Sequence, residues 1–225
     1  MFQKRLKMTA LVLLMTVPVC AVFAKSDNLP ETTVDGLVRV PDSKLAIVYA
    51  EPGADLSAYD SVMILDTYVA FKKNWARDQR RSASSLSAAP RPDDIEKMKA
   101  VMAKEFNEVF SQVLSDGGYQ VTDEAGENVL LVRPAIINLD ATAPEVRTST
   151  ASRTYVASAG EMTMYIELYD SVTGDLIAKA IDRRVDNAMR TQYTWANPSS
   201  NAAASRRILR GWAEILRDAL DEARQ

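Results

Sequence analysis

The sequence predicts an α+β fold, a mixed, mostly antiparallel sheet with two amphipathic helices packed on one face. Three observations predict it. Over residues 161–169, Met162, Met164, Ile166 and Leu168 alternate with Glu161, Thr163, Tyr165, Glu167 and Tyr169, the period of a strand with one face inward. Over 95–113, Ile95, Met98, Met102, Phe106, Val109, Phe110 and Val113 recur at three- and four-residue spacing, which gives a helix one apolar face. From 202 to 222, Ile208, Leu209, Trp212, Ile215, Leu216, Ala219 and Leu220 make a second such face, opposed by Arg206, Arg207, Arg210, Glu214, Arg217 and Asp218.

In chain order, residues 25–36 are polar and read as a flexible leader to a single domain over 37–225. Short apolar runs at 37–40 and 45–49 flank a Pro41-Asp42-Ser43 turn signal. Residues 51–59 read as loop, with Pro52-Gly53 as punctuation. Residues 61–71 are rich in strand formers and read as a buried strand interrupted at Asp66. Residues 72–92 then carry six basic residues against one Asp, followed by Ser, Ala and Pro, and read as a long mobile loop with one helical turn. For the helix that follows, Asp93 and Glu96 have the spacing of a capping box, and Gly117-Gly118 supplies the stop.

A short strand is expected at 119–122. Residues 128–139 are apolar at both parities, the pattern of a strand covered on both faces, and Pro134 within it implies a bulge or an irregular ladder. Residues 140–153 read as a Thr/Ser/Ala-rich loop. The strand at 161–169 turns through Asp170 to Gly174 and returns over 175–185 as a hairpin. Residues 186–201 form a polar loop holding Tyr193 and Trp195.

The N-terminus has the layout of a secretory signal peptide. Lys4, Arg5 and Lys7 precede an apolar run from Met8 to Phe23 that is short for a spanning helix, which needs about 20 residues. Cleavage is expected after Ala24, giving a periplasmic protein; residues 1–24 are then removed. Cys20, the single cysteine, lies inside this segment. Cleavage before it makes an outer-membrane lipoprotein anchored at Cys20; cleavage after Ala24 leaves a chain without thiols. No later stretch is long and apolar enough to span a membrane.

Composition narrows the chemistry. The chain has 27 basic and 30 acidic residues, and the signal segment takes three basic and no acidic ones with it. That acidic balance argues against a nucleic-acid binder. With no histidine anywhere, Ser-His and Cys-His nucleophiles and the usual zinc sets are excluded. The eight glycines form no phosphate-binding pattern, and no cofactor is expected. Ser43-Lys44 reads as an exposed turn, and Asp170 to Asp175 as a hairpin turn without the alternating ligands of a calcium loop. Glu161 and Glu167, six residues apart on one strand, lie about 20 Å from one another, too far for a glycosidase pair.

Two basic-aromatic clusters remain as candidate partner-binding residues. One is Phe71, Lys72, Lys73, Trp75, Arg77, Arg80 and Arg81; the other is Arg183, Arg184, Arg190, Tyr193 and Trp195. Trp and Arg are favoured interface anchors, and such loops suit an envelope protein or an anionic envelope component. The competing reading is a solvated loop whose aromatics tuck back onto the domain.

The segments LVRVPDSKLAIVYAEPGADLSAYDSVMI (37–64), VLLVRPAIINLDATAP (129–144) and SAGEMTMYIELYDSVTGDLIAKAIDRR (158–184) resemble domain-of-unknown-function family 3313. The resemblance runs from Leu37 to the C-terminus and implies a cell-envelope protein, with lipoproteins as the common description of its members. It carries no assigned activity or site residues. Val19 stands where lipoproteins have a small residue before the cysteine. The resulting expectation is a non-enzymatic binding or assembly-accessory domain of the periplasm or outer membrane. The alternatives are a hydrolase acting on an envelope glycan through carboxylates such as Glu161 and Asp182, and a lipid-binding carrier marked by a large apolar cavity.

Overall fold

A computed structural model describes residues 29–83, 89–141, 160–185 and 198–225. The alternating hairpin forms as expected. β7 (Glu161–Asp170) and β8 (Leu176–Val185) pair antiparallel, joined through Gly174 at φ 75°. β6 (Val129–Asp140) pairs antiparallel along the other side of β7. Beyond β8 come β2 (Ile47–Ala50) and the two-residue β1 (Val38–Arg39), both antiparallel. The segment at 61–71 is broken as predicted, into β3 (Ser61–Ile64) and β4 (Tyr68–Phe71), and both lie parallel to β6. β5 (Gln120–Val121) pairs parallel with β3. The eight strands form one mixed sheet, ordered β1-β2-β8-β7-β6-β3-β5, with β4 also on β6.

Pro134 sits where β6 faces the break between β3 and β4. Val132 pairs with Ile64 and Ala135 with Tyr68. The carbonyls of Asn128 and Val132 accept from the Ser61 N–H of β3 and from the Leu65 N–H just after it, so the even-numbered peptide groups point that way, and a missing N–H at Pro134 meets the gap. The irregular ladder expected at Pro134 is therefore on that side alone. On the β7 side Pro134 pairs in register with Ile166, and the bulge falls further on, between Ile137 and Asp140, where Asn138 takes φ 53°.

Two helices cover one face. α2 (Pro92–Asp116) follows α1 (Trp75–Ser82), and α3 (Pro198–Ala223) closes the chain. The inward stripes of α2 and α3 join Val62, Leu130, Val132, Ile136, Met162 and Met164 in one buried core. Phe106 and Phe110 stack at 3.9 Å on α2. The C-terminal turn of α3 is pinned to the body: Tyr119 donates to Asp221 at 2.7 Å, and Arg224 donates to the Tyr59 carbonyl at 2.6 Å.

Four expectations change. Residues 72–92 are not one long loop with a single helical turn; α1 runs for eight residues within them. β6 is fully covered on one face only: Leu130, Val132 and Ile136 are buried, while Leu131, Ala135 and Ile137 are half-buried on a face that carries no helix among the described residues. The box at the start of α2 lies two residues earlier than Asp93 and Glu96: the Asp94 carboxylate accepts from the Arg91 backbone N–H at 2.9 Å, with Pro92 in the first turn. Over 29–36 the leader is held rather than loose, because Tyr49 donates to the Pro30 carbonyl at 2.7 Å and Lys179 bonds Asp35.

Glu105, on α2, is buried against α3. Its Oε1 accepts from Arg206 at 2.9 Å, while Oε2 has no hydrogen-bond partner. Burial pushes its pKa up, Arg206 pulls it back, and Glu108 adds to the rise. A raised folded-state value means the stabilisation is complete below the ordinary carboxylate range, near about 4.3, and is lost as pH rises through the folded value. Glu105→Gln removes this titration. Urea unfolding at neutral pH and near pH 4.5 is expected to show wild type gaining stability relative to the variant on acidification; a constant difference would refute the burial effect.

Candidate functional site

The first basic-aromatic cluster divides: its aromatics turn inward, while its five cations stay exposed and two of them are ion-paired. Trp75 is 4 % exposed, stacks on Phe71 at 4.1 Å, and donates its indole N–H to the Ala141 carbonyl at 2.8 Å. It is therefore a core residue and not a surface anchor. Lys72 pairs with Asp140 at 3.3 Å and Arg77 with Asp78 at 3.2 Å. Arg80 bonds the Ala76 carbonyl of its own helix, and Lys73 and Arg81 are exposed.

In the second cluster, Arg183 bonds Glu161 at 2.6 Å. Arg184 bonds Asp182 at 3.1 Å and lies over the Trp212 ring, 5.6 Å from its centre. Arg190, Tyr193 and Trp195 lie outside the described residues. The structure does bring Lys72 and Arg183 to one end of the sheet, around Glu161. The Arg183 hydrogen bond holds the Glu161 carboxyl below the usual range against the opposing effect of desolvation, with Lys72 adding to the lowering.

Glu161 and Asp182 do not form a facing pair. Asp182 pairs across the ladder with Met164 on the helix side, whereas Glu161 shares the opposite face with Thr163 and Arg183. Strand alternation separates them. Asp182 is saturated instead, accepting from the Trp212 indole at 2.7 Å, the Ala46 N–H at 3.1 Å and Arg184. On the outer face, Glu167 accepts from Tyr165 at 2.5 Å, Tyr169 at 2.9 Å and Arg133 at 3.2 Å. Among the described residues no three carboxylates gather as a metal site requires.

A concave apolar feature lies elsewhere. A pocket of about 390 Å³ opens between α3 and the β2-β8-β7 part of the sheet. Its floor follows from register. Val48, Ala180 and Ile166 form one cross-strand row, and Ala50, Ala178 and Leu168 the next. Ala178 and Ala180 of the middle strand, with Ala50 of β2 beside Ala178, leave a trough flanked by Val48 on one side and by Ile166 and Leu168 on the other. Trp212, Ile215, Leu216 and Ala219 form the α3 wall, and Val40 to Leu45 the opposite wall.

Asp42, Ser43, Lys44 and Glu222 make the rim. Lys44 crosses the mouth from the β1–β2 turn to α3, meeting Asp218 at 3.1 Å and Glu222 at 3.5 Å. The Asp218 carboxylate, hydrogen-bonded to Lys44, raises its pKa. Ser43 accepts from the Leu45 N–H, so the Ser-Lys pair is a turn at a pocket rim. Sequence reasoning missed this site. The signal was Ala178-Lys179-Ala180, two alanines at inward positions of a strand whose hairpin partner carries Met, Ile and Leu there.

A family model described as a protein of unknown function (DUF3313) matches residues 33–216. No curated protein matches the chain. Among solved structures, the PelC dodecamer of Paraburkholderia phytofirmans is similar at 11 % identity and a TM-score of 0.38, over 76 % of this chain and 96 % of that one. A DUF330 protein of Xanthomonas campestris is similar at 9 % identity and a TM-score of 0.37, over 76 % and 92 % of the two chains. A DUF4136 protein of Bacteroides thetaiotaomicron gives 11 % identity and a TM-score of 0.32, over 76 % and 94 %.

Proposed function

The chain belongs to the DUF3313 family, and from that premise we propose that it is an exported, non-enzymatic binding domain of the bacterial envelope whose ligand is apolar. The observation that carries the proposal is the preformed trough lined by Ala50, Ala178 and Ala180 under α3. Its volume of about 390 Å³ falls within the range of small-molecule sites and well above the roughly 150 Å³ apolar cavity that admits benzene. The signal-peptide pattern at 1–24 and the absence of histidine support export and binding rather than catalysis. Among the described residues no helix is long and apolar enough to cross a membrane.

The test uses the exported protein and N-phenylnaphthylamine, a dye that brightens on leaving water. One saturable site per chain is expected. It should be lost in Ala178→Trp and Ala180→Trp when each variant keeps a cooperative melt. If either side chain is too large for the fold, Ile215→Trp fills the trough from a half-buried helix position. Absence of saturable binding, or binding unchanged in every folded variant, sinks the proposal. The mass of the exported N-terminus is expected to place Lys25 first; a lipidated Cys20 would make the protein a membrane-anchored lipoprotein instead.

A further inference from the structure

Resting on the reading of the trough as a ligand site, we propose that it takes a single-chain amphiphile whose head group carries a phosphate and an ammonium. β2 and β7 each lie about 4.8 Å from β8, so Val48 and Ile166, which flank Ala180, stand on strands roughly 10 Å apart. With carbon atoms packing about 4 Å apart, that spacing leaves room for one hydrocarbon chain between the two rows and not for two. The inner end is closed by Met164 and Trp212, and the Trp212 indole N–H is already committed to Asp182. A polar head therefore stays at the outer rim.

The rim carries both signs. Lys44 is 56 % exposed and long enough to turn toward a ligand. Its release leaves little uncompensated: Asp218 keeps Arg217 at 2.8 Å, and Glu222, 69 % exposed, returns to water. Lys179, the other cation lining the pocket, is committed to Asp35. Lys44 is thus the group that meets a phosphate, and Asp42 and Glu222 are the groups that meet an ammonium. A head with one negative charge would face these two carboxylates uncompensated; a head with both charges matches the rim.

The experiment displaces N-phenylnaphthylamine from the exported protein with three single-chain lipids of equal chain length: a lysophosphatidylethanolamine, a fatty acid and a fatty alcohol. Each is kept below its micelle concentration. The lysophosphatidylethanolamine is expected to bind about tenfold or more tightly than the other two. Lys44→Ala and Glu222→Ala should each reduce that preference while alcohol binding stays. Equal affinity for all three heads, a fatty acid as tight as the zwitterion, or a preference unchanged by Lys44→Ala overturns the assignment.

Dye binding with no displacement by any of the lipids also overturns it, while leaving the pocket itself standing. Failure of the dye to bind removes the pocket reading. If Ala180→Trp instead turns a dimer into a monomer by sedimentation, the trough belongs to a second copy of the chain and the lipid assignment falls.

Discussion

Trp212→Ala is expected to destabilise the fold by about 3–5 kcal/mol, the usual cost of truncating a buried aromatic to alanine. Trp212 is 1 % exposed, and its ring fills the space between α3 and the β7–β8 hairpin. The loss has two parts. Removing the ring leaves a cavity beside Met164, Ile166 and Leu216, which the neighbouring trough already under-packs. Removing the indole N–H takes one donor from Asp182. Domains are stable by only about 5–15 kcal/mol, so this is a large share of the whole. A melt lowered by roughly 6–20 °C is the expected reading for a chain of this size. Trp212→Phe keeps most of the volume and loses the donor, and should cost clearly less. Should Trp212→Ala melt within about 2 °C of wild type, α3 does not pack on the hairpin as described.

Local pattern carried most of the elements and little of the site. The β7 alternation is visible because Met162, Met164, Ile166 and Leu168 face one core while Glu161 and Glu167 face outward. The break at Asp66 shows for the same reason. Trp75 reads differently in sequence and in space. Its neighbours Lys72, Lys73 and Arg77 mark a solvated stretch, yet the carbonyl that accepts its indole N–H belongs to Ala141, 66 residues on. A helical residue with charged neighbours can still point inward, and eight residues of α1 suffice to turn it.

The trough was hidden for another reason. Its shape depends on β8 lying between β2 and β7, and on α3 passing over them. The first of these pairings joins residues 128 to 134 positions apart. Alanine at 178 and 180 looks unremarkable until register sets Ala180 between Val48 and Ile166, and Ala178 between Ala50 and Leu168. Asp182 is hidden in the same way. It sits in a basic Asp-Arg-Arg run that reads as surface, and two of its three donors are distant in sequence, Ala46 just before β2 and Trp212 on α3.

Asp182→Ala is the second large effect, expected at about 2–4 kcal/mol, because it strands donors rather than merely deleting a contact. Oδ1 accepts from Ala46 and Oδ2 from Trp212 and Arg184. Arg184 is partly exposed and can turn to water, so most of the cost falls on the Ala46 and Trp212 N–H groups. Asp182→Asn separates hydrogen bonding from charge. An amide has one acceptor oxygen for donors that approach both carboxylate oxygens, so either Ala46 or Trp212 then faces an NH₂. The Asn variant should therefore recover only part of the loss. Recovery to wild-type stability in the Asn variant would mean that one acceptor suffices and that the three-donor arrangement is not what holds the site. Because Ala46 immediately precedes the strand that forms part of the trough floor and Trp212 closes its end, the same variants should also weaken dye binding under conditions where they remain folded. A variant that loses stability yet keeps full binding would separate the anchor from the pocket it is argued to shape.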